Sequence, residues 1–150
     1  MLLVCLVLTS GCAGDPQRAP EDPQQTLDTV SYETRVVERT NRVRASLGRA
    51  ELTRSPCLED EARERATDLL GHDGLEHAPL AGVVARCAPG ARAAENLVDS
   101  AAAPRAVVDA WMGSPGHRNN IVDPALREIG IGCVESDKGM LCSQLFLGDG

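Results

Sequence analysis

Four cysteines, Cys57, Cys87, Cys133 and Cys142, constrain this chain more than any other feature. None of them forms a Cys-x-x-Cys pair, the spacing used by thiolate zinc sites and redox-active dithiols, so the sequence disfavours both. In an oxidising compartment an even set reads as two disulfides, for which three connectivities exist. Local pattern narrows the choice. Glu128–Glu135 and Met140–Leu147 are strand-like runs flanking Ser136-Asp137-Lys138-Gly139, a good turn. In an antiparallel hairpin symmetric about Asp137–Lys138, Cys133 lies directly opposite Cys142. Cys57 is then left to pair with Cys87.

The compartment is read from the N-terminus. Leu2–Leu8 is an unbroken apolar run, followed by Thr9, Ser10, Gly11 and then Cys12. That order is similar to a bacterial lipoprotein signal over residues 1–11, with Cys12 the residue that is lipidated. It lacks the Lys or Arg that normally precedes the apolar run, and an ordinary signal peptide or a buried N-terminal strand remain alternatives. The run is too short to span a bilayer as a helix. Residues 12–30, which carry Pro16, Pro20 and Pro23 among Gln, Asp and Arg, read as a flexible tether. Residues 31–150 remain for one domain. The expected location is the bacterial cell envelope, lipid-anchored or secreted, with the membrane a partner through the anchor.

Charge and aromatic content exclude other partners. Asp and Glu number 22 against 15 Lys and Arg, a net charge of −7, and the only aromatics are Tyr32, Trp111 and Phe146. An acidic chain with so few stacking side chains is not expected to bind nucleic acid. The length suits a single domain, and a monomer is expected.

Val36, Val37, Thr40, Val43 and Leu47 recur at helical spacing between Tyr32 and Gly48. Ser55-Pro56 opens a second helix, whose stripe is Leu58, Ala62, Ala66, Leu69 and Leu70. Residues 72–92 show no sustained period and read as loop. Ala94–Val98 is a short strand candidate. A third helix starts at Pro104 and breaks at Ser114-Pro115-Gly116. Three helices and a terminal hairpin give an α+β fold.

Chemistry must come from few groups. With the cysteines paired and no Gly-rich phosphate loop or G-x-S-x-G elbow, histidines and carboxylates remain. The histidines are His72, His77 and His117. Glu95 sits in a half-buried strand, where a carboxylate needs a partner. Two histidines and one carboxylate are the ligand types of an open zinc site, or equally of a metal-free hydrogen-bonded cluster.

The motifs Asn41-Arg42-Val43-Arg44, Leu75-Glu76-His77, Ala94-Glu95-Asn96-Leu97, Trp111-Met112-Gly113-Ser114-Pro115-Gly116-His117-Arg118-Asn119-Asn120-Ile121 and Ile129-Gly130-Ile131-Gly132 occur in the order and spacing of a known family. Over residues 32–147 the chain resembles the CAP superfamily, also called the SCP or pathogenesis-related-1 domain, in its compact bacterial form. The resemblance implies an α-β-α sandwich with a small antiparallel sheet between helical layers. It implies a cleft in which His77 and His117 match metal ligands, for Zn²⁺ or another divalent metal, and Glu95 matches a cleft carboxylate. Ser114 stands where the family's second Glu would be, so one carboxylate is missing. The functions implied are a cell-envelope module binding a metal, lipid or other small ligand or, alternatively, a metal-assisted, peptidase-like hydrolase with Glu95 as the catalytic general base. Asn41 and Arg44 are expected to tie the first helix to neighbouring loops.

Overall fold

The computed structural model describes residues 29–150; the signal segment, Cys12 and nearly all of the tether lie outside them. The first helix, α1 (Thr29–Ser46), already includes Thr29 and Val30, the last two residues assigned to the tether. It stops where expected. Gly48 takes a positive φ of 66°, and the Gly48 and Arg49 amides close back onto Ala45 and Arg44 carbonyls. β1 (Thr53–Arg54) and α2 (Pro56–Asp68) follow, the helix opening on Ser55-Pro56 as its sequence predicts.

Next come α3 (Ala81–Cys87), β2 (Arg92–Ser100), α4 (Pro104–Gly113), α5 (Pro115–Val122), β3 (Leu126–Ser136) and β4 (Gly139–Gly148). The sheet runs β1-β3-β4-β2. The hairpin has the predicted register, with Ser136 opposite Gly139 and Cys133 opposite Cys142. Both disulfides have the expected connectivity, Cys133–Cys142 and Cys57–Cys87.

Three features depart from the expected plan. The sheet is mixed, because the two residues of β1 pair in parallel with Glu128 and Ile129 of β3. The stretch read as loop contains α3, whose seven residues bury only Val83 and so leave no period to read. The Ser-Pro-Gly run is a break followed at once by a new helix: Ser114 is both the last cap of α4 and the first cap of α5. Proline suits the first helical position, where its missing amide hydrogen costs nothing. Only Ile121 of α5 is buried, so it too has no apolar stripe.

The layers are those of an α-β-α sandwich. On one face Tyr32, Val36 and Val37 of α1 pack with Val107, Val108 and Trp111 of α4 against Ile129, Ile131 and Phe146. On the other, Leu58 and Ala62 of α2 and Val83 of α3 cover Leu145 and Leu147. Alternate strand residues face opposite ways, so consecutive residues of β4 feed both cores. The close seat of α2 on β3 depends on Gly130 and Gly132. A Cβ on either would overlap the α2 backbone, at Leu58 and at Ala62–Arg63 respectively.

Candidate functional site

The alternation of β2 divides its two central polar residues between the layers. Glu95, paired with Leu145, faces α2; Asn96, paired with Gln144, faces α1 and α5. Both are buried, Glu95 at 5% exposure and Asn96 at 0%. Each is satisfied by partners remote in sequence, as buried polar groups must be.

Around Glu95 the shell is complete. Arg65 of α2 grips the carboxylate with both arms of its fork, Nε to Oε1 at 2.6 Å and Nη2 to Oε2 at 2.9 Å. Ser143 Oγ donates to Oε1 at 2.8 Å. His77 Nδ1 lies 2.7 Å from Oε2. Burial alone would raise the Glu95 pKa, but the hydrogen bonds from Arg65, His77 and Ser143 and the Arg65 charge outweigh it, holding the carboxyl below its ordinary range. An ionised carboxylate only accepts, so His77 Nδ1 carries the proton and Nε2 is its free nitrogen. The imidazole is half exposed, 53% at the side chain, and is thus oriented by Glu95 while its far edge meets solvent.

On the other face of β2, Asn120 of α5 donates to the Glu95 carbonyl at 2.9 Å and to Asn96 Oδ1 at 3.0 Å. Asn96 donates to Gln144, and Gln144 to Thr40 of α1. This ladder holds the first turns of α5, and with them His117, against the strand. His117 is partly buried and its imidazole makes no hydrogen bond among the described residues. Desolvation, and secondarily the neighbouring His77, lower its pKa and favour the neutral ring.

The structure thus joins His77 to Glu95 directly and sets His117 near enough to feel the charge of His77. A volume of about 260 Å³ opens beside His77 and Glu95, lined also by Arg65, Leu69, His72 and Glu76; His117 and Ser114 are not on its wall. Arg65 was missed by sequence reasoning. The signal was present: Arg65 stands seven residues after Leu58, on the apolar stripe of α2, where a charge demands a buried counter-ion. Asn41 and Arg44 do tie α1 to its loops. Asn41 exchanges hydrogen bonds with the Leu52 backbone, and fully buried Arg44 donates to the carbonyls of Ala50, Ile121, Asp123 and Leu126.

Among the described residues no three His, Cys, Asp or Glu side chains meet in a way that would hold a metal ion. The oxygens of Glu95 are taken by Arg65, Ser143 and His77. What remains is two imidazoles. Such a donor set fits a weakly held, largely hydrated divalent cation and does not fit a tight resident one, which needs three or four protein ligands.

The sequence profile of the cysteine-rich secretory protein family, CAP, matches residues 37–146. The Bacillus subtilis (strain 168) protein YkwD is 33% identical over 144 aligned residues, which cover 87% of this chain and 55% of YkwD, so this chain spans about half of that relative's length. Among solved structures, an extracellular SCP-domain protein of Bacillus anthracis superposes with a TM-score of 0.70 at 20% identity, covering 81% of this chain and 41% of that one. An outer surface protein of Borrelia burgdorferi gives 0.71 at 20% identity, covering 81% of this chain and 95% of that one. A cysteine-rich secretory protein of Staphylococcus aureus gives 0.69 at 18% identity, over 83% and 40% of the two chains. These likenesses share the fold, and with the family match across most of the described domain, the chain belongs to the CAP, or cysteine-rich secretory protein, family.

Proposed function

We propose that this chain is an extracytoplasmic binding module of the bacterial cell envelope, held to the membrane by a lipid on Cys12, which takes a small ligand in the cavity beside His77. The two disulfides, and relatives described as extracellular or outer-surface proteins, support the compartment. The observation that carries the binding reading over the hydrolytic one is the state of Glu95. A general base needs a lone pair free toward water and a pKa raised toward neutrality. Glu95 has neither: it is buried, gripped by Arg65 and held ionised below its ordinary range. The ligand side of the cavity is instead made of His77, His72 and Glu76, groups suited to hydrogen bonding.

A divalent cation, where taken, would be held by His77 Nε2 and His117, and would supply Lewis acidity beside the cavity. The experiment is a calorimetric Zn²⁺ titration near neutral pH, with a parallel screen for peptide and ester hydrolysis. Weak, saturable binding lost in both His77→Ala and His117→Ala, with no turnover, is the expected result. Absence of any Zn²⁺ binding removes the cation from the reading. Hydrolysis that is abolished by Glu95→Gln in a folded protein overturns the binding reading altogether.

A further inference from the structure

A second cavity, of about 250 Å³, lies away from the histidines, between α1 and the start of α4. Its lining is Arg35, Arg39 and Arg42 of α1 with Ala103, Pro104 and Arg105 of the α4 end. Positions i, i+4 and i+7 of a helix share one face, so the three α1 guanidinia emerge side by side, and Arg105 approaches from across the groove. Like charges at this spacing repel, and nothing in the packing demands them: Arg35, Arg42 and Arg105 are exposed.

Local carboxylates do not balance them. Asp109 takes Arg39 at 2.6 Å and Arg105 at 3.5 Å, and Glu38 stands 3.9 Å from Arg42. Arg35 has no ion pair among the described residues. Arg39 is itself incompletely satisfied, its Nε being buried without a hydrogen-bond partner. Four guanidinia facing two carboxylates form a cationic groove on a chain whose net charge is −7.

We infer that this groove binds a phosphate group. Guanidinium forks match phosphate oxygens in pairs, and a phosphate monoester offers close to two negative charges and three acceptors at one point, more than one carboxylate supplies. The volume admits a phosphate with a small organic substituent. The chemistry is shared by the monoester headgroup of phosphatidic acid and by a free phosphorylated solute. The proposal uses no residue of the His77 cavity and stands apart from the reading given for it.

Inorganic phosphate is titrated into the full chain at low salt, following the Nε–Hε resonances of the arginines by NMR. Saturable shifts confined to Arg35, Arg39, Arg42 and Arg105 are expected, weakening as salt is added. The Arg35→Gln/Arg42→Gln double variant, which alters only exposed side chains, should bind phosphate at least about tenfold more weakly. Arg105→Gln, which leaves α1 untouched, should weaken it in the same direction, while His77→Ala should leave it unchanged. A second arm uses the Cys12→Ala chain with vesicles of phosphatidylcholine alone, with phosphatidylglycerol as a diester of net negative charge, or with phosphatidic acid. Recruitment by phosphatidic acid in preference to phosphatidylglycerol, lost in the double variant, identifies a lipid headgroup as the source of the phosphate. Saturable phosphate binding without recruitment identifies a free phosphorylated solute. Non-saturating shifts, or affinity undiminished in both arginine variants, overturn the proposal, as does a groove that takes no phosphate because another part of the chain fills it.

Discussion

Glu95 accepts hydrogen bonds from Arg65, His77 and Ser143 on its two carboxylate oxygens while almost fully buried, and that makes it a structural anion. Replacing it with Gln leaves Arg65 charged, only 13% exposed at the side chain and without its hydrogen-bonded counter-ion. Removing one partner of such a pair costs about 3 kcal/mol or somewhat more. Urea unfolding of Glu95→Gln should show a loss of that order, and a variant as stable as the parent would contradict the pairing. The pH dependence has a definite sign. Because the folded pKa of Glu95 is depressed, its contribution is present above the unfolded carboxyl value of about 4.3 and is lost as pH falls through the folded value below that. His117 is also depressed in the folded state, by burial first and His77 second. Its contribution is present above about pH 6.5 and is lost as pH falls from there through its folded value. Imidazole Cε1 proton shifts should therefore give His117 a midpoint below about 6.5, raised only in part by His77→Ala, since burial remains. A midpoint at or above the ordinary value would contradict the placement. At this scale Glu95 was legible, because a carboxylate beside an apolar strand needs a partner. Arg65 was not, because a stripe counted by its apolar members passes over the charged residue standing in it.

At the scale of elements, the tightest constraint is the contact of α2 with β3. Ile129-Gly130-Ile131-Gly132 places its isoleucines toward α1 and its glycines under α2, so the helix backbone rests on the strand itself. Gly132→Ala would force the added methyl group into the backbone at Arg63, which cannot swing aside as a flexible side-chain end would. Overpacking of this kind costs about 1–3 kcal/mol, and the thermal midpoint should fall accordingly. An unchanged midpoint would mean that α2 sits farther from the sheet. Long periodic helices and the hairpin were readable because each buries a repeating stripe or pairs in a register marked by its own turn. α3 and α5 were not, for the same physical reason. Each buries a single apolar side chain, Val83 or Ile121; α3 is further held by Cys87 to Cys57 of α2, and α5 by the hydrogen bonds of Asn120. Closing that loop stabilises the fold by about 3.5 kcal/mol as an upper figure. The double variant Cys57→Ala/Cys87→Ala should thus unfold at lower urea, and should loosen α3 in hydrogen exchange before the sheet opens.

The whole molecule combines a rigid disulfide-bonded sandwich with an N-terminal segment of quite different composition. Its architecture was legible because motif order and hydrophobic period agreed. What the cavity holds was not, since a lining of His72, Glu76 and His77 suits many polar ligands and the occupant leaves no trace in the residues alone. Membrane attachment is a separable question at this scale. No helix among the described residues is long and apolar enough to cross a membrane, and a net charge of −7 gives no general attraction to anionic lipid. On the reading proposed above, the hold on the membrane comes through the N-terminal segment, where Leu2–Leu8 followed by Thr9-Ser10-Gly11-Cys12 has the order of a lipidation site. A lipid on Cys12 would then keep the domain close to the bilayer. In an exporting bacterial host the chain should sediment with membranes and carry a lipid mass on Cys12. Cys12→Ala should move it to the soluble fraction with the fold, judged by thermal midpoint and intact disulfides, unchanged. An unmodified Cys12 by mass spectrometry, or a Cys12→Ala chain that still sediments, would show that the attachment rests on something other than this residue.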